Sequence, residues 1–290
     1  MQPQRTGPFK YSPIWQRPRL VWPDNARVAL WVIPNIEVFA LDEAIPSVSG
    51  KVPDVVAYSV RDYGARVGIW RLMEVLSGFG IRATVALNSE VCDAYPQIVQ
   101  EATGLKWEFM GHNESNTRRL NNVPPEDEPR VIHNTLARIE RATGKRPVGW
   151  LGSGLQETWN TLDYLVSEGC QYIADWVNDD QPYRMNINGK ELVSIPYSQE
   201  LNDLPAIVRQ NHTPEEFAAM IRRQFDVLYR EGASSGRVMA IALHPYISGV
   251  PHRIDALRSA LEYVCTHQGV WLATGQEIVE HYLTSTPRDI

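Results

Sequence analysis

The pattern of this chain predicts an α/β fold: an irregular (β/α) barrel of about seven to eight strands. Short apolar runs rich in β-forming residues alternate with stretches of helical spacing along most of the 290 residues, and such alternation builds a parallel sheet. That length exceeds an ordinary domain yet suits a single barrel. Two histidines, His112 and His244, fall where apolar runs end, the edge of an α/β sheet at which chemistry collects.

Residues 27–34 (RVALWVIP) form a near-continuous apolar run, as a strand buried on both faces requires. Residues 66–79 carry Val67, Trp70, Leu72, Met73 and Leu76 at helical spacing, closed by Gly78 and Gly80. Strand 83–87, helix 96–103, strand 107–110 and helix 125–143 follow, then strand 148–151, helix 158–168 and strand 172–174. Beyond the turn Asn188-Gly189, residues 192–196 read as a strand. Helix 214–230, strand 238–243, helix 253–267 and strand 270–272 precede a closing helix. Residues 1–25, rich in Pro, Arg and Trp and without period, read as an extended arm lying across the body or a neighbouring subunit. Residues 26–290 read as one barrel domain. The irregular stretch 38–62 is too long for a routine loop, so it is expected to cover a site or a subunit contact.

A net charge of −6, with no basic run interleaved with aromatics, argues against nucleic acid as a partner. No stretch approaches the roughly 20 apolar residues of a membrane span, and the start lacks the apolar core of a secretory signal. Cys92, Cys170 and Cys265 form neither a CxxC pair nor an even disulfide set. They read as reduced thiols of a cytoplasmic protein.

The first strand hands over to Glu37, the third to His112, and the last long one to His244. The fourth runs into Trp150-Leu151-Gly152-Ser153-Gly154, where glycines let backbone approach a ligand. That turn lacks the spacing and charge of a nucleotide loop. Asp175-Trp176 and Tyr197 follow the next two strands. Each residue alone has an ordinary reading, such as a solvated loop glutamate or a packed histidine. Together, at successive strand ends of a barrel, they converge on one face.

Longer segments carry a resemblance: Arg61-Asp62-Tyr63-Gly64-Ala65-Arg66-Val67-Gly68, Thr143-Gly144-Lys145-Arg146-Pro147, Ser194-Ile195-Pro196-Tyr197 with Asn202-Asp203, Phe225-Asp226-Val227-Leu228-Tyr229, and Leu243-His244-Pro245. In these the chain resembles the polysaccharide deacetylase superfamily. It is most similar to the metal-independent allantoinase branch and the related bacterial cyclic imide hydrolases. The resemblance runs from about Pro23 to the closing helix.

Metal-dependent members place two adjacent acids after the first strand and two histidines four residues apart. The matching places here hold Glu37-Val38 and His112 with Asn116. The resemblance therefore implies a base at Glu37, a proton donor at His244 and no three-ligand zinc site. It leaves a weakly held zinc on Glu37 and His112, with His244 joining, as the alternative. His112 would orient water or polarise a carbonyl. Asp175 would fix a histidine tautomer or bind a ring N–H. Without zinc to acidify water, an unactivated acetamide is demanding, whereas a cyclic imide or ureide has a better leaving nitrogen. The allantoinase branch carries an arginine in the turn after Gly-Trp, but Gly152-Ser153-Gly154 is neutral. With Trp150, Trp176 and Tyr197 nearby, it suits a neutral planar ring.

The expected activity is a hydrolase opening a small cyclic amide such as succinimide, hydantoin or allantoin, without a cofactor. A metal-dependent deacetylase of an N-acylated substrate and an inactive ligand-binding barrel are the alternatives. Relatives in the branch imply a homotetramer.

Overall fold

In the computed structural model, which describes residues 3–46 and 48–286, the sheet is organised around its first strand. β1 (Val28–Ile36) is buried along its whole length. Val28, Leu30 and Val32 pack with Leu72, Leu76, Phe225 and Leu257 of the surrounding helices. Ala29, Trp31 and Ile33 pack the other way, with Tyr172, Val193, Ala240 and Ala242 inside the curl of the sheet. Two apolar environments explain why the run does not alternate with polar residues.

Eight further strands complete the sheet: β2 (Thr84–Leu87), β3 (Glu108–Gly111), β4 (Gly149–Trp150), β5 (Tyr172–Ile173), β6 (Tyr183–Ile187), β7 (Lys190–Ser194), β8 (Arg237–Leu243) and β9 (Val270–Leu272). The order is β6-β7-β5-β4-β3-β2-β1-β8, with β9 also on β1. Parallel pairing holds throughout except between β6 and β7. The expected barrel is present, but strands do not close it. Between β8 and the β6–β7 hairpin, irregular chain bridges the gap through Ala242 N–H to Leu201 C=O and Val238 N–H to Asp180 C=O.

Two expectations need correction. β6 was not expected as a strand, because an edge strand carrying Arg184 and Asn186 lacks the apolar pattern of its neighbours. Its hairpin turn is Asn188-Gly189, both at positive φ, as a tight type I′ connection requires. The stretch 38–62 is irregular only to Asp54, whose carboxylate accepts from Ala57 N–H and caps the helix Val55–Tyr63. That helix passes through the π-turn Gly64–Gly68 into the helix Ile69–Gly78. Val55, Val56 and Val60 lie exposed on it, so it shows no buried stripe in the sequence.

The arm lies across its own barrel. Trp22 is buried and donates from Nε1 to Arg237 C=O, Arg17 pairs with Asp179, and Phe9 stacks edge-on against Trp176. Its first two residues lie outside the described ones, as do the last four of the chain and Ser47. No described helix is long and apolar enough to cross a membrane.

Candidate active site

Parallel strands end at one rim, and three of them deliver the expected acid and bases to a single point. Glu37 follows β1, His112 follows β3 and His244 follows β8. Glu37 Oε1 lies 3.4 Å from His112 Nε2 and 3.8 Å from His244 Nε2. All three side chains are buried, at 3–5% exposure.

Each imidazole is oriented by its other nitrogen. His112 Nδ1 sits 2.6 Å from Leu151 C=O, which can only accept, so Nδ1 carries the proton and Nε2 faces Glu37. His244 Nδ1 donates to Asp203 Oδ1 at 2.6 Å. Asp203 is fully buried, and its Oδ2 accepts from His244 N–H and Ser248 Oγ, both at 2.7 Å. The sequence reading did not assign Asp203 a role. The signal available was an acid in the loop after β7, within the Asn202-Asp203 pair that already carried part of the resemblance.

The loop after β3 is pinned to the end of β1. Asn88 accepts from Val38 N–H at 2.9 Å and donates to His112 C=O, while Asn116 N–H reaches Val38 C=O. From there Asn116 donates its Nδ2 to Glu37 Oε1. Reversing that amide would set its oxygen against a carboxylate, so chemistry fixes its orientation. Glu37 Oε2 and Asn116 Oδ1 are buried and have no hydrogen-bond partner among the described residues.

Burial pushes Glu37 up, yet His244, His112 and Arg61 together outweigh it and hold the carboxyl below its ordinary value. Burial likewise opposes the charged form of His244, but Asp203 and Glu37 raise its pKa. Both shifts favour the same charge pair, a carboxylate facing an imidazolium.

A zinc ion does not fit this donor set. Val38 offers no ligand, and Asn116 turns a donor N–H toward the carboxylate where a cation would have to bind. Among the described residues no group of three His, Cys, Asp or Glu side chains is arranged to hold a metal.

The expected substrate-contact residues divide. Trp150 is fully buried in the core, its ring against Gly111, where a Cβ would come within 2.6 Å. It shapes the wall and presents no face to a ligand. Ser153 is also fully buried and donates to His112 C=O at 3.0 Å, a positioning contact. Gly152 N–H donates to Asp175 Oδ1 at 2.7 Å, leaving Asp175 Oδ2 buried and unpartnered. The tautomer-fixing groups are Leu151 and Asp203; Asp175 bonds to neither histidine. Burial, then Glu157, raises the Asp175 pKa well above ordinary, and Glu157 is itself pushed up to about 7 by burial and Glu128. Trp176 is half-buried under Phe9. Tyr197 is buried edge-on to Trp31, close enough to Asp203, Glu37 and Asp175 for each to disfavour its phenolate.

Gly154 changes the expected electrostatics. Its φ is +67°, and a Cβ there would lie 3.0 Å from Arg119 Cζ. The turn is neutral in sequence, but a guanidinium contacts it.

Comparison with known proteins agrees with this fold. No family model matches the chain. A solved structure of Puue allantoinase is 26% identical, with a TM-score of 0.84 over 94% of this chain and 95% of its own. A Pseudomonas aeruginosa PAO1 structure named as a polysaccharide deacetylase gives 26% and 0.84 over 93% and 96%. A Schizosaccharomyces pombe protein named as a polysaccharide deacetylase is 24% identical, covering 92% of this chain and 93% of its own. These likenesses, by curated name and by solved structure, support the polysaccharide deacetylase superfamily as the chain's kin. A Helicobacter pylori peptidoglycan deacetylase shares 22% identity over 78% of this chain and 87% of its own. At the coarse level, the deacetylase and allantoinase likenesses support a hydrolase acting on carbon–nitrogen bonds.

Proposed function

We propose that the protein opens a ring C–N bond of a small cyclic amide, an imide or ureide, by general acid–base attack of water. The observation that carries this reading is the buried Glu37–His244–Asp203 relay with Asn116 donating to Glu37. It retains a base and an acid where a superfamily zinc site would need further ligands.

Glu37 takes a proton from water as the oxygen adds to the ring carbonyl. His112, its tautomer fixed, orients that water. The C–N bond then breaks, and the departing nitrogen takes the proton from His244 Nε2 while Asp203 steadies the imidazole. Transfer from Glu37 back to His244 across 3.8 Å resets the centre. A leaving nitrogen stabilised by a second carbonyl suits a site with no Lewis acid in its mechanism. The allantoinase likeness supports a ring substrate.

A cytoplasmic location is part of the same reading, supported by the free thiols Cys92, Cys170 and Cys265. So is a homo-oligomer, supported by the exposed Val52, Val55, Val56 and Val60.

Turnover of succinimide, maleimide, hydantoin, dihydropyrimidines and allantoin, with and without chelator, tests the proposal beside an N-acetylated chitooligosaccharide. At least one ring is expected to open at a rate the chelator does not change. Deacetylation of the sugar with every ring left intact refutes it.

A further inference from the structure

Around the Glu37–His244 centre stand three arginines that form no ion pair among the described residues: Arg61, Arg119 and Arg209. Arg61 lies over the Phe39 ring at 4.7 Å and the Tyr246 ring at 5.4 Å. Among the described residues its one hydrogen bond is to Ala57 C=O, and its Nε is buried without a partner there. Its charge acts on both Glu37 and His244. Arg119 is half-buried against Gly154, again with Nε buried and unpartnered. Burial opposes the charge of Arg119, the Glu37 carboxylate favours it, and exposed Arg209 opposes it.

Other arginines with little exposure meet an oxygen: Arg17, Arg146, Arg184 and Arg237 pair with carboxylates, while Arg71, Arg222 and Arg253 bond to hydroxyl or backbone oxygens. Burying a guanidinium with an empty donor disfavours the folded state unless something else satisfies it. A like charge alongside adds to that penalty. Within a chain of net charge −6, a local excess of cations at the site mouth draws in an anion.

We infer that the substrate is an anionic ring, a cyclic amide whose substituent carboxylate is received by Arg119, with Arg61 and Arg209 completing a cationic mouth. This rests on the cyclic-amide reading and narrows it. Arginine's planar fork matches a carboxylate with two parallel hydrogen bonds. Gly154 is consistent with this placement, since a Cβ there would crowd the guanidinium at 3.0 Å. The neutral ring expected from the Gly152-Ser153-Gly154 turn is thereby replaced by a charged one.

The test compares hydantoin with 5-carboxymethylhydantoin in the parent, Arg119→Gln, Arg119→Lys and the rim variant Arg209→Gln, with calorimetric binding beside kcat/KM. The carboxymethyl ring is expected to bind and react at least about tenfold better than the neutral one, with the advantage shrinking as salt rises. Arg119→Gln should erase most of that discrimination through KM, Arg119→Lys less, and Arg209→Gln should weaken it without touching the fold. Equal or weaker binding of the carboxymethyl ring overturns the inference while leaving ring opening intact. If neither hydantoin opens, the wider ring panel decides the proposed function, and the binding comparison still decides whether the arginines receive a carboxylate.

Discussion

Asp203 sets the direction in which the acid of the centre titrates. Its carboxylate is fully buried and holds His244 by Nδ1 and by the backbone N–H. Because the pKa of His244 is raised, activity that needs the imidazolium persists to a higher pH and falls as pH rises through that value. Glu37 is lowered, so the base stays ionised to a more acid pH. Asp203→Asn should lower kcat/KM by about 10²-fold or more and move the alkaline limb to lower pH. An unmoved limb in the pH–rate profile would make Asp203 merely structural. Glu37, His112 and His244 were legible because strand ends are where barrels gather chemistry. Asp203 and Arg119 were not, since their meanings come from partners far along the chain: Asp203 stands 41 residues before His244, and Arg119 meets a turn that looks neutral in sequence. Trp150 misled for the opposite reason, as an aromatic beside a glycine turn that packs inward.

At the level of elements, the π-turn Gly64–Gly68 shows how packing places a catalytic residue. A Cβ on Gly68 would lie 2.0 Å from Pro245 C=O, and one on Gly64 would lie 2.8 Å from Tyr246 N. The helix thus presses its bare backbone onto the turn that carries His244. Gly68→Ala should push that turn away, with a stability loss of about 1–3 kcal/mol and lower activity; an unchanged melting temperature would contradict the contact. Strands β1, β3 and β8 were readable because both of their faces meet apolar layers. The helix Val55–Tyr63 and strand β6 were not, because each keeps a large part of its surface in water.

Across the whole molecule, buried carboxyls tie stability to pH. Glu157, pushed up to about 7, takes up protons on folding relative to the unfolded chain. The stability this adds is complete below the ordinary glutamate value and is lost as pH rises through about 7. Glu157→Gln cannot ionise, so its melting temperature should gain on the parent's between about pH 5 and pH 8. A constant difference across that range would show that the carboxyl is not perturbed. The central place of β1 has another consequence, in the order of synthesis. The strand made first pairs with β8 and β9, which are made last. Glu37 must therefore wait for His244, more than two hundred residues later, before its electrostatic partner exists. Nascent chains halted before β8 should remain open to protease and become resistant only once the last strands are released from the ribosome.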